Sequence, residues 1–128
     1  MHCVLLCSRH VGIKKAEQRK GRTMSVAGKR CQLCGKVTGI WREDAAGLFE
    51  AGALVLERKG AETVWNPMEQ VPPDCDHDRA MRMCIRRLIT YTDVLVTLPG
   101  WEMSEGACLE VAVARAVGVP VVGIGDVV

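Results

Sequence analysis

The chain has 128 residues, 48% hydrophobic and 25% charged, which is the make-up of one globular domain and excludes a largely disordered or fibrous protein. Aromatic residues are only 4%, so the core has to be aliphatic, as in packed α/β layers rather than aromatic-rich β-barrels. The net charge of +2 hides an asymmetry, since residues 1–30 hold eight Lys/Arg against Glu17 alone and residues 31–128 are net −5, a sign that makes nucleic acid an unlikely partner for the domain.

Residues 1–30 read as a basic arm with no sustained period of either kind, and Met24 is an alternative start. The apolar stretch Cys3 to Cys7 is followed at once by Arg9 and His10, too short for a signal-peptide core and with the charge on the wrong side. No apolar run approaches the roughly 20 residues that span a bilayer, so the expectation is a cytoplasmic protein with no membrane contact. Seven cysteines without an export signal argue for reduced thiols. The one alternative is zinc, held by Cys31-Gln32-Leu33-Cys34 together with Cys3 and Cys7.

From Arg30 the pattern becomes regular. A short strand is expected near Cys31 to Gly35, a Gly-punctuated loop to Trp41, and a helix from about Asp44 to Lys59 that Gly60 ends. Gly47 and Gly52 weaken that helix by roughly 1 kcal/mol each relative to Ala. A strand at Glu62 to Trp65 runs into Asn66-Pro67, and Pro67, Pro72 and Pro73 make the stretch to Asp76 a loop. Met81, Cys84, Ile85, Leu88 and Ile89 then recur at helical spacing with Arg79, Arg82, Arg86 and Arg87 on other faces. Val94 to Leu98 and Pro120 to Ile124 are continuous apolar strands, buried on both faces, and Gly106 to Val117 is the helix between them. Strands alternating with helices give parallel βαβ units. The reading is a single doubly wound, Rossmann/flavodoxin-like α/β domain with a parallel sheet of four to five strands over residues 31–128.

Ligands of such sheets bind beyond the carboxyl ends of the strands, which directs attention to the loops Gly35 to Trp41, Trp65 to Asp76 and Pro99 to Glu105. Glu110 stands out because it and Arg115 are the only charged side chains between Gly106 and Ile124. Their five-residue separation places them about 140° apart on a helix, so Arg115 is a poor partner for the carboxylate. Ser104 sits where the helix begins, a cap position beside a positive dipole end that also binds anions. Gly35, Lys36, Thr38 and Gly39 combine close backbone approach with one cation and one hydroxyl, as a phosphate or sugar pocket requires.

Several motifs together resemble the nucleoside 2-deoxyribosyltransferase-like superfamily, in particular its small single-domain phage and bacterial branch. They are Leu33-Cys34-Gly35-Lys36-Val37-Thr38-Gly39, Asn66-Pro67, Asp93, Leu98-Pro99-Gly100-Trp101, and Ser104 through Glu110 before Gly118-Val119-Pro120. The resemblance covers about residues 31–124. It implies scission of the N-glycosidic bond of a (deoxy)nucleoside or its 5′-monophosphate, by hydrolysis or transfer, without a metal or other cofactor. The nucleophile's role falls on Glu110, and a Ser six residues earlier, here Ser104, is implied to contact a phosphate. The substrate is further implied to rest on Gly35, Lys36, Thr38, Gly39, Asn66, Pro99, Gly100 and Trp101, and relatives associate through helices, so a homodimer is expected. Two departures stand out: Gln32 replaces a first-strand Tyr, and Cys84-Ile85-Arg86 replaces the stretch with the family's acidic Asp. Asp93 is the expected substitute acid, with Asp76 and Asp78 behind it. A nucleotide-binding module of this fold without catalysis is the competing expectation.

Overall fold

A computed structural model describes residues 22–128. Chain order is β1 (Arg30–Cys34), α1 (Arg42–Arg58), β2 (Thr63–Trp65), α2 (Pro67–Gln70), α3 (His77–Tyr91), β3 (Val94–Thr97), α4 (Glu105–Ala116) and β4 (Val121–Gly123), with 3₁₀ turns at Trp101–Met103 and Ile124–Asp126. All four strands are parallel and lie side by side as β2-β1-β3-β4. The chain therefore moves one way from β1 to β2 and the other way from β3 to β4, and the reversal falls between β1 and β3, where this architecture opens a crevice.

The side-chain period of two sorts the central strands between two cores. Cys31, Leu33, Val94 and Val96 pack with Phe49, Ala53 and Leu56 of α1 on one face. Cys34 and Leu95 pack with Leu88 of α3 and Ala107, Val111 and Ala114 of α4 on the other. Helices on both faces explain why these strands are buried on both sides instead of alternating with polar residues that face water. The same alternation excludes the zinc alternative: Cys31 and Cys34 are both buried but belong to opposite cores, and one ion cannot reach both thiols through the sheet. Cys3 and Cys7 lie outside the described residues.

Gly52 is a packing requirement rather than only a helix weakness. A Cβ there would come within 2.8 Å of Leu98 Cδ2 and 3.3 Å of Leu33 Cδ2, so the missing side chain lets α1 sit close to the sheet. The expected boundary at residue 31 also shifts. Val26 is fully buried in the α1-side core, and Met24 bridges to Val127 in parallel pairing, so the folded domain reaches back to about Met24.

The proline-rich stretch contains one short helix that composition hid. Asn66 is buried and its Oδ1 accepts the Met68 N–H at 3.0 Å, while Pro67 takes the first helical position, where a missing N–H costs nothing. α3 begins at His77 because Asp76 accepts the Arg79 N–H at 2.9 Å. Gln32 then ties α3 to the sheet: its Nε2 donates to the Cys84 carbonyl at 2.9 Å and its Oε1 accepts from Thr92 Oγ1 at 2.7 Å. Among the described residues no helix is long and apolar enough to cross a membrane.

Candidate functional site

A cleft of about 650 Å³ opens at the carboxyl ends of β1 and β3. One wall is the loop that leaves β1, with Gly35, Lys36 and Thr38, followed by Arg42 in the first turn of α1. The opposite wall is the start of α4, from Ser104 to Ala107, with Glu110 one turn deeper. Apolar side chains of α2 and the segment after it close the outer side, chiefly Pro67, Met68, Val71 and Pro72, and α3 contributes His77, Ala80, Met81 and Cys84. A second hollow of about 740 Å³ lies beside β4 and holds none of the expected site residues except Trp101.

Ser104 caps α4, its Oγ accepting the Ala107 N–H at 3.2 Å, and so faces the cleft with the positive end of a 12-residue helix. Gly106 leaves room beside it for Met81, whose Sδ a Cβ would meet at 2.9 Å and push aside. Glu110 is 6% exposed, and its Oε2 is buried with no hydrogen-bond partner. Burial pushes its carboxyl up to about 8, with the adjacent Cys84 thiol opposing the rise. Cys84 is itself pushed up to about 12 by burial and by the neighbouring Glu110, so it stays a neutral thiol. A titratable acid kept in an apolar wall with no charged partner is the kind of group found disproportionately where chemistry is done.

Five of the expected site residues therefore meet at one cleft: Gly35, Lys36, Thr38, Ser104 and Glu110. Gly35 is there for steric reasons as well, since a Cβ would lie 3.1 Å from Leu98 Cβ and 3.3 Å from Phe49 Cζ. Others stand behind the cleft. Gly39 turns the first loop at φ +86°, and Asn66 spends its side chain capping α2. Pro99 and Gly100 are exposed, and Gly100 at φ +85° opens the 3₁₀ turn whose Trp101 carbonyl accepts the Ser104 N–H at 3.0 Å. This turn aims Ser104, and of its three residues Met103 alone lines the cleft.

Asp93 is removed from the chemistry. It precedes β3 at the amino end of the sheet, the end away from the cleft, and its Oδ1 accepts from Arg30 Nη2 at 2.9 Å while Oδ2 accepts the Arg30 N–H at 2.9 Å. The Arg30 guanidinium holds its carboxyl down at about 2, so it carries no proton to give near neutral pH. Asp76 caps α3, and neither it nor Asp78 lines the cleft. Arg42 and His77 are cleft residues that sequence reasoning missed; both open helices at loop ends, a position that carries no periodic signal.

Comparison with known proteins gives no match to any curated protein or solved structure. One family profile matches residues 29–123, close to the folded domain described above, and the chain belongs to that family, described as a domain of unknown function (DUF4406).

Proposed function

We propose that the chain cleaves the N-glycosidic bond of a (deoxy)nucleoside 5′-monophosphate, as an enzyme of the nucleoside 2-deoxyribosyltransferase-like superfamily with Glu110 as nucleophile. The observation that carries this reading is the placement of a buried carboxyl, one oxygen of it without a hydrogen-bond partner, and a Ser-capped helix N-terminus in one cleft. Six residues of α4 separate Glu110 from Ser104, about 9 Å of helix rise, which suits a sugar with its 5′-phosphate at the cap and its anomeric carbon at the carboxylate. Lys36 and Arg42 across the cleft add positive charge for the phosphate.

In the reaction a Glu110 oxygen bonds to the anomeric carbon as the carbon–nitrogen bond breaks and its electron pair leaves with the base. Water then hydrolyses the glycosyl ester, or a second base replaces the first. Apolar surroundings hold Glu110 largely protonated near neutral pH, and they equally make its ionised form a strong partner for the positive charge that develops at the anomeric carbon. The bound substrate's small size fits a cleft of this volume, and no cofactor is required by the chemistry.

Incubation with a panel of deoxynucleoside 5′-monophosphates, followed by chromatography of free base, tests the reading. Release by the wild type and none by Glu110→Gln, with nucleotide binding kept, is the expected result. Activity surviving in Glu110→Gln removes the nucleophile assignment. Binding without base release from any substrate favours the inactive-module reading, for which the absence of an Asp among the residues lining the cleft is the motivating observation.

A further inference from the structure

We propose that His77 is the acid that protonates the leaving base, an inference that rests on the glycosidase reading of the cleft. With Asp93 at the far end of the sheet, the base would depart as an anion unless another group in the cleft supplies a proton. The titratable side chains along its walls are few. Glu110 is the attacking group, and Glu105 stands beside the Ser104 cap, at the phosphate end. Lys36 and Arg42 lie on the first-loop wall, where their charge serves an anion. Cys84 lies against Glu110, on the side of the sugar that the nucleophile occupies. His77 and Cys75 remain, and of the two imidazole is the side chain that most often serves as a general acid.

Geometry places His77 on the leaving-group side. His77, Ala80, Met81 and Cys84 follow one another at i, i+3, i+4 and i+7, so α3 presents a single face to the cleft with Cys84 at the floor and His77 at the mouth. Two turns separate those ends, about 10 Å along the axis. Because Cys84 lies against Glu110, that span stands for the distance from nucleophile to acid, and a near-attack separation of about 3 Å at the anomeric carbon with a hydrogen bond of about 3 Å at the acid leaves roughly 4 Å between them. That interval is the width of one heterocycle, and for a purine it brings N7 to the imidazole. The sides of this space are apolar, from Met68, Val71, Pro72 and Met81, which leaves Cys75 as the side chain beside His77 that could compete for the base.

The step balances without any group beyond water. The Glu110 carboxylate bonds to the anomeric carbon, the C1′–N9 electron pair passes to the purine, and the imidazolium proton of His77 goes to N7. When water attacks the glycosyl ester, its proton returns to His77 and Glu110 is released as the carboxylate.

The test compares deoxyguanosine 5′-monophosphate with its 7-methyl derivative, whose base leaves without needing a proton. His77 is exposed at the first position of α3, so His77→Gln and His77→Ala are expected to keep the wild-type melting temperature. Both should release guanine about 10²-fold more slowly than wild type and release 7-methylguanine within about threefold of it. Equal losses on both nucleotides, or no loss on either, overturn the assignment while leaving the glycosidase reading intact. A wild type that releases neither base overturns both.

Discussion

Replacing Glu110 with Gln changes how stability depends on pH, and the size of the change follows from the wall around this one carboxyl. In the unfolded chain a glutamate titrates near its ordinary value of 4.5, whereas burial holds Glu110 at about 8 in the fold. Between those values the folded state keeps a proton that the unfolded state has lost, so stability is fully present below about 4.5 and is lost as pH rises towards 8. Each pH unit in that window is worth about 1.4 kcal/mol, and from pH 5 to 8 the wild type should lose about 3 to 4 kcal/mol through this group alone. Gln has no such slope. Its amide N–H groups do find an unpartnered site, at a cost of about 1 to 3 kcal/mol, so the variant should be the less stable protein at pH 5 and the more stable one at pH 8. Urea unfolding of both proteins at half-unit pH steps measures the difference, with titrations common to the two cancelling. A difference that stays flat from pH 5 to 8 would mean that the carboxyl is hydrated and titrates normally, and would refute the buried-acid description of the cleft.

Lys36→Ala and Ser104→Ala should each weaken binding of a deoxynucleoside 5′-monophosphate about tenfold or more in calorimetry, as loss of a charge-assisted hydrogen bond does. Ser104→Ala should also cost about 1 kcal/mol of stability through its lost cap, and unchanged affinity in both would reject the phosphate subsite. In the folded protein Cys31, Cys34 and Cys84 should resist iodoacetamide, because burial pushes Cys31 up to about 11 and Cys84 up to about 12 and raises Cys34 well above the ordinary thiol range; among the described cysteines peptide mapping should find label on Cys108 first, and early label on Cys31 would contradict the core. A chain beginning at Met24 should keep its melting temperature, whereas one beginning at Arg30 loses the buried Val26 and about 1.5 to 3 kcal/mol with it; equal stability of the two would return the boundary to residue 31.

The fold was legible because each element's burial is written in its own residues. Val94 to Leu98 is apolar but for Thr97 and lies between helices on both faces, and the 3.6-residue repeat from Met81 to Leu88 marks the buried side of α3. Ile89 fits the same repeat and is half-exposed, since the helix ends two residues later and runs past its neighbours. Glu110 was legible for the opposite reason, as the one acid in a helix of small apolar residues. Less visible was anything that depends on two distant segments meeting. Arg30 and Asp93 are 63 residues apart, and only their hydrogen bonds show that Asp93 belongs to a structural pair rather than to the cleft. Val26 is an isolated apolar residue between Ser25 and Ala27, with no period to announce that it fills the core. α2 was obscured by three prolines, although Asn66 before Pro67 is a helix start in miniature. His77 and Arg42 carry no local signal at all, because what makes them cleft residues is the reversal of strand order.

The outermost strands, β2 and β4, have only three residues each, and a proline lies close to each, Pro67 just past β2 and Pro120 immediately before β4. Among the described residues, a chain approaching either side finds a row of N–H and C=O groups too short to copy. Growth of the sheet by adding strands from a second molecule is thereby discouraged, and the protein is protected against edge-to-edge aggregation despite a core made of unbroken β-forming segments. Any self-association has to proceed through the helical faces instead, where Leu48, Leu54 and Val55 of α1 stand exposed.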